Sequence, residues 1–372
     1  MPPTQKELAK LAGLSAGTVS NVISGMPGVS EHARKKVMDA IRALNYQPNL
    51  IARSLKTNKT YTLGMVVPDI TIPFYPKVIR GAESAAREAG YFLIVLDSES
   101  NHERERAMIH LLQSQRVEGI LLVAAGGHHW TRQEASSLTS AGPVVCLDRL
   151  PDGLNVDSVC VDDCQAAEMA VSHLMSLGHR NIAIVTGPQS LKNEQERLRG
   201  YTQALRRGGN PVKKSLIWSG SFDAEEIGRL CQQGMLQPNG RPTAIFSTNG
   251  VTGLAVLRSL YALGMSTPED FAFLTFDELT TEDFFRPCVS SVMQPAFDIG
   301  HKAVEVLLRR INGESGDKVR QKVRLPATLE VRESTNKGRR DTLQTTRTGE
   351  QEGIARGYLR APRVARFTRK QC

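Results

Sequence analysis

Six polar side chains fall at or near the ends of apolar runs: Asp148, Arg149, Arg197, Asn249, Asp277 and Gln294. Three aromatics, Phe74, Tyr75 and Phe222, take comparable places. Carboxylates accept hydrogen bonds from vicinal hydroxyls, and Arg, Asn and Gln donate to them. Bonds that involve a charge are the stronger ones. Aromatic rings cover the apolar C–H face of a sugar and exclude water. These types therefore suit a polyhydroxylated small molecule. They suit proton transfer less well, because Arg149 and Arg197 would keep neighbouring carboxylates ionised. Neither G-x-x-x-x-G-K-[ST] nor G-x-G-x-x-G occurs. No catalytic residue and no cofactor are expected.

Metal chemistry has little support in the sequence. The six cysteines stand at 146, 160, 164, 231, 288 and 372, with no C-x-x-C pair. Cys160 and Cys164 flank Asp162 and Asp163, but structural zinc calls for more Cys or His at set spacing. His128 and His129 follow Gly126-Gly127 and read as solvated loop residues. No metal site is expected. No secretory leader or membrane-length apolar run is evident, so reduced thiols in a cytoplasm are expected.

The elements that must position the polar set alternate between apolar runs and amphipathic stretches. The runs are LGMVV (63–67), FLIVL (92–96), GILLV (119–123), VVCL (144–147), IAIV (182–185), AIF (244–246) and FAFLTF (271–276). They are continuous, as strands covered on both faces are. Helices are expected over Lys77 to Ala89, Glu103 to Ser114, Gln165 to Ser176 and Gly250 to Leu263. The repetition is βαβ, hence an α/β fold with parallel sheets, and the number of strands suits two sheets.

The N-terminus is different. Thr4 three residues before Glu7 can form a capping box, and Leu8, Ala9 and Ala12 give the helix an apolar face. Gly13 can end it, and Ser15 can cap a second helix whose Val19, Val22 and Ile23 point inward. Ser30 can cap a third, Glu31 to Leu44, closing a core with Val37, Met38, Ile41 and Leu44. Two short helices joined by a Gly-containing turn suit a DNA-binding helix-turn-helix. Ala16, Gly17 and Asn21 are left outside at the start of the second helix, with Thr18 and Ser20 nearer phosphates. Asn at a base edge can bond adenine, and Ala can touch a thymine methyl. After Pro48, Asn49 can cap a short helix from Leu50 to Leu55, followed by a polar linker.

The segments AKLAGLSAGTVSNVISG and VSEHARKKVMDAIRALNYQPNLIARSL resemble the headpiece of the LacI/GalR transcription repressors. The resemblance extends to about residue 333 and implies a domain plan. That plan is a headpiece (1–47), a hinge helix and linker (48–61) and a two-lobed sugar-sensing domain (62–335). The N-lobe is expected over about 62–161 and 291–325, and the C-lobe over about 162–290. In this family the hinge helix orders on operator DNA and a leucine wedges into the minor groove, which places Leu55 there. Asn49, Ala52, Arg53 and Lys56 would lie on the DNA with it, as would Thr4 and Ser15 of the headpiece. A homodimer would set two headpieces on a palindromic site.

The resemblance also implies that the effector sits in a cleft at the C-terminal ends of the strands. Phe74, Asp148, Arg149, Arg197, Asn249, Asp277 and Gln294 match the family's sugar contacts in type, and Tyr75 and Phe222 stand beside them. Ile72 departs from a frequent Asn, and Gly250 from the Asp of an Asn-Asp pair. Both departures put ribose itself in doubt, and the expected effector is a sugar, sugar acid or sugar phosphate. The alternatives are a sugar-binding protein or a sugar-handling enzyme without operator specificity.

Charge agrees with a polyanionic partner. The chain is at +9 overall. Residues 1–60 hold nine Lys/Arg against three acids, and residues 336–372 hold ten against three, which leaves the body at −4. A basic end on an acidic body is an electrostatic footprint for a polyanion. The last segment has no apolar periodicity and reads as a disordered tail.

Overall fold

The computed structural model describes residues 3–23, 28–46, 59–237, 240–279, 287–314 and 319–336. The expected hinge helix with Asn49, Ala52, Arg53, Leu55 and Lys56 lies outside the described residues, as does the expected tail beyond 336.

Three helices open the chain: α1 (Gln5–Ala12), α2 (Ala16–Ile23) and α3 (Glu31–Leu44). Thr4 and Glu7 form a reciprocal capping box, and Gly13 ends α1 in the left-handed region at φ 63°. Ser30 caps α3 through the Ala33 N–H. Leu8, Val19 and Val37 are fully buried in one cluster with Ala12, Val22, Ala40 and Tyr46. Ile41 and Leu44 are partly buried against it, but Met38 is 47% exposed, contrary to its expected place in the core. Ala33, Val37 and Ala40 are the buried residues of α3, and Met38 lies one position round the helix from Val37, on its solvent side.

Two α/β units follow. The first holds β1 (Thr62–Val67), α4 (Phe74–Glu88), β2 (Phe92–Asp97), α5 (His102–Ser114), β3 (Gly119–Leu122), α6 (Arg132–Thr139), β4 (Val144–Leu147) and β5 (Asp157–Val161). It also holds α11 (Ala296–Ile311) and the start of β11 (Lys322–Leu325). The second holds α7 (Asp163–Ser176), β6 (Ile182–Thr186), α8 (Lys192–Arg207), β7 (Ile217–Ser219), α9 (Ala224–Met235) and β8 (Ala244–Ser247). To these it adds α10 (Gly250–Tyr261), β9 (Ala272–Phe276), β10 (Ser290–Met293) and β12 (Thr328–Glu330).

Each unit is built on a six-stranded sheet, in the orders β11-β5-β4-β3-β1-β2 and β12-β10-β9-β8-β6-β7. The two orders are the same plan used twice. β1 pairs in parallel with β2 and β3, and β6 with β7 and β8, so each sheet reverses its winding beside its first strand. Such reversals put the C-terminal strand ends where ligands bind. All the apolar runs read from the sequence are strands, and the α/β class with parallel sheets stands.

Several boundaries differ from expectation. α4, α5 and α7 begin earlier, at Phe74, His102 and Asp163. Asn101 and Asp162 cap the latter two, and Pro76 in the first turn of α4 gives up no needed hydrogen bond. β5 lies outside the apolar runs because it opens on a buried carboxylate. Arg310 holds Asp157 with two hydrogen bonds of 2.8 Å, and the Gln321 N–H adds a third. Residues 291–325 do not all belong with the first lobe. β10 pairs with β9 in the second sheet, and the chain re-enters the first unit at Ala296. It then leaves after Val323, and β12 closes the second sheet antiparallel to β10. Within the first unit, Gly300 lets α11 approach α4: a Cβ there would overlap the Val78 carbonyl oxygen.

Candidate DNA-reading helix and effector site

On α2 the apolar face is fixed by Val19 and Val22, which leaves Ala16, Gly17 and Asn21 exposed. Thr18 and Ser20 are half-buried. Ser15 Oγ accepts the Thr18 N–H at 3.1 Å and lies 2.9 Å from Thr18 Oγ1, so both hydroxyls cap the helix start. Thr4 is exposed, its hydroxyl 3.0 Å from Glu7 Oε2. These bonds to Thr4 hold the Glu7 carboxyl below its ordinary pKa. Residues 13–17 also spell G-x-S-x-G. That motif exposes a serine nucleophile only on a strand-to-helix turn. Here a helix precedes it and Ser15 is a cap.

In the first unit Asp148 and Arg149 follow β4, both buried. Tyr75 Oη donates to Asp148 Oδ2 at 3.0 Å, and Arg149 Nη1 donates to the Ala125 carbonyl at 3.4 Å. Asp148 takes φ 54°, a left-handed value uncommon for a residue with a side chain. Phe74, buried at the start of α4, and Ile72, half-buried just before it, group with the second unit, and the first resumes at Tyr75.

In the second unit Asp277 follows β9 in the matching place and with the matching conformation, φ 68°. Gln294 Nε2 donates to its Oδ1 at 2.7 Å. Left-handed non-glycine residues cluster at functional sites, where the surrounding fold imposes them. Two aspartates share this feature at equivalent strand ends of two sheets. Phe222 packs where a Cβ on Gly187 would strike its ring.

Arg197 and Asn249 are more deeply committed than their types suggest. Arg197 is 2% exposed, donates to Asp163 Oδ1 at 2.8 Å and to the Thr248 carbonyl at 2.7 Å, and lies 3.7 Å over the Phe276 ring. Asn249 caps α10 through the Thr252 N–H at 2.8 Å and donates to Glu194 Oε1 at 3.0 Å. Glu194 also accepts from the Gly187 N–H and the Thr248 hydroxyl. Asp163, Glu194, Thr248 and Phe276 thus brace the site without having been singled out from sequence. Glu194 had one available signal, its place three residues before Arg197 on one helix.

One expectation for a loop fails. His129 is exposed, but His128 is half-buried, its ring stacked on His102 at 3.6 Å between centroids. Among the described residues no helix is long and apolar enough to cross a membrane.

Comparison with known proteins places this geometry in a family. The profile described as "Periplasmic binding proteins and sugar binding domain of LacI family" matches residues 60–329, and that of "Bacterial regulatory proteins, lacI family" matches residues 4–49. The chain belongs to the LacI family of bacterial regulatory proteins. It is 34% identical to catabolite control protein A of Priestia megaterium, over 90% of this chain and 100% of the relative. It is 33% identical to the ribose operon repressor of Escherichia coli K12, over 83% of this chain and 93% of the relative. The lac repressor dimer bound to operator and the anti-inducer ONPF superimposes with a TM-score of 0.76 at 26% identity, covering 90% and 99% of the two chains. Members of this family are transcription regulators.

Proposed function

We propose that this chain is a sequence-specific DNA-binding repressor whose operator affinity is set by a small sugar or sugar derivative. The observation that carries the reading is the exposed face of α2, held out by a fully buried Val19 on a capped three-helix core. Ala16, Gly17 and Asn21 meet base edges in the major groove, and Thr4, Ser15, Thr18 and Ser20 lie toward phosphates. Only Asn21 has a side chain able to bond a base edge with two hydrogen bonds, to adenine N6 and N7. Asn49, Ala52, Arg53, Leu55 and Lys56 supply the hinge, and DNA shape contributes the rest of the specificity.

The effector is a sugar, sugar acid or sugar phosphate. Asp148, Arg149 and Tyr75 in one unit, and Ile72, Phe74, Arg197, Phe222, Asn249, Asp277 and Gln294 in the other, are its recognition set. The paired left-handed aspartates support this reading, and the relatives' names agree with it. A homodimer in the cytoplasm acts as a binding protein and not an enzyme, with binding of sugar and operator coupled reciprocally.

The test is a gel shift on genomic fragments, with sugars first ranked by thermal shift. A discrete fragment is retarded, and a stabilising sugar changes its affinity by about five- to 150-fold, the usual range for such coupling. Asn21→Ala relaxes discrimination at one base position by about 1–3 kcal/mol. Equal retention of scrambled DNA under all conditions would rule the reading out.

A further inference from the structure

Two histidines and two glutamates gather around the loop that leaves β3, and none of them belongs to the effector set. His102 opens α5, His128 follows Gly126-Gly127, and Glu134 lies in the first turn of α6. The imidazoles stack with planes 20° apart. His128 Nε2 is 3.1 Å from Glu134 Oε2, and His102 Nε2 is 3.8 Å from Glu134 Oε1. One donor atom from each of the three residues lies within 4.8 Å of the others.

The surroundings prepare His102 for a particular task. Its Nδ1 is 3.2 Å from Glu105 Oε1, and Glu105 is fully buried with its other oxygen on the Ala125 N–H at 2.6 Å. With Glu105 as the acceptor the N–H sits on Nδ1, which leaves the lone pair on Nε2. That Nε2 is buried and makes no hydrogen bond among the described residues. A carboxylate behind a histidine, with the far nitrogen free to ligate, is the outer-shell arrangement of metal-binding histidines. Thr131 fixes Glu134 in turn, its N–H and hydroxyl bonding Oε2 at 2.9 and 2.8 Å.

We propose that His102, His128 and Glu134 form a binding site for a divalent transition-metal ion of the zinc type, with Glu105 as the positioning residue behind His102. Imidazole and carboxylate ligands favour zinc and its neighbours over magnesium or calcium. Four-coordinate zinc holds such ligands at about 2.0–2.2 Å, so its ligand atoms stand about 3.3 Å apart. The spacings to Glu134, 3.1 Å from His128 to Oε2 and 3.8 Å from His102 to Oε1, lie near that value, one on each carboxylate oxygen. Stacked rings converge on one ion only after His128 turns out of the stack, and it follows two glycines at φ 89° and 71° that permit it. Arg106 Nη1 stands 3.5 Å from Glu134 Oε1, but its side chain is 44% exposed and can swing into solvent. The site is independent of the identity of the effector.

The test uses the full chain stripped with a chelator and titrated with zinc or cobalt(II) alone, by calorimetry and by the visible spectrum of cobalt. One equivalent binds per chain and raises the thermal midpoint. His128→Gln lowers the affinity about a hundredfold, and Glu105→Gln lowers it about 10- to 100-fold, the range for outer-shell partners. His129→Gln, at an exposed neighbour, leaves it unchanged. Absence of saturable binding, or binding indifferent to His128→Gln, overturns the proposal. Since His128 is on a loop, that variant decides the matter even if Glu105→Gln does not fold.

Discussion

Arg197 shows what a single buried charge demands of its neighbours. A guanidinium at 2% exposure needs counter-charges and acceptors, and it finds Asp163, Glu194 within 3.8 Å, the Thr248 carbonyl and the face of Phe276. Removing one partner of a buried ion pair leaves the other uncompensated. Arg197→Met is therefore expected to destabilise the second unit by about 3–5 kcal/mol, read by urea denaturation. Adding Asp163→Leu to it should restore part of the loss, since an apolar pair of similar volume is often tolerated. A double variant no more stable than the single one would show that Asp163 is not the main partner. The sequence pointed to Arg197 by residue type alone, and its depth became visible only with its partners in place.

At the scale of elements, the C-terminal segment acts as a staple on the second unit. Ser334 Oγ donates to the Phe273 carbonyl at 2.6 Å and accepts the Ser290 N–H at 2.8 Å. Thr335 Oγ1 lies 2.8 Å from Ser290 Oγ and 3.2 Å from His173 Nε2 on α7. Burial pushes the His173 pKa below its ordinary value, so the fold favours the neutral ring. The unfolded chain then binds more protons than the folded one in the window between the lowered value and the ordinary one. Stability from this residue is present above the ordinary imidazole pKa of about 6.5 and is lost as pH falls toward the lowered value. Thermal midpoints measured from about pH 7 down to about pH 5 should fall, and His173→Gln should flatten that part of the profile. An unaltered slope in the variant would place the effect on another group. The strands and helices around this staple were largely legible, because continuous apolar runs and capping residues are local signals. The exchange of β10 and β12 into the second sheet was not, because it depends on where a strand finds an open edge.

At the scale of the whole molecule, charge is the property that reaches furthest. The first sixty residues carry nine Lys/Arg against three acids. Neutralised phosphates release counterions, so the logarithm of the binding constant falls with the logarithm of salt. A pair of headpieces making about 6–10 phosphate contacts should lose about 10³–10⁵ in affinity between about 50 and 200 mM salt. Equilibrium titration of an operator fragment at several salt concentrations measures the slope. A flat dependence would remove the headpieces from the phosphates.

The amino-acid order alone determined seven of the strands, the helices α4, α5, α7 and α10 and where α1 and α3 are capped. It also determined that a DNA-reading headpiece precedes a doubly wound body. The strands, helices and caps follow from periodicity and from bonds spanning a few residues, whereas the DNA-reading role of the headpiece came from its resemblance to a family. Tertiary structure decided the left-handed conformation of Asp148 and Asp277, the enclosure of Arg197 and the stacking of His102 on His128. Each depends on groups that are remote in sequence and become neighbours only when the sheets are assembled. A loop histidine reads as solvated until a distant helix start is seen to lie against it.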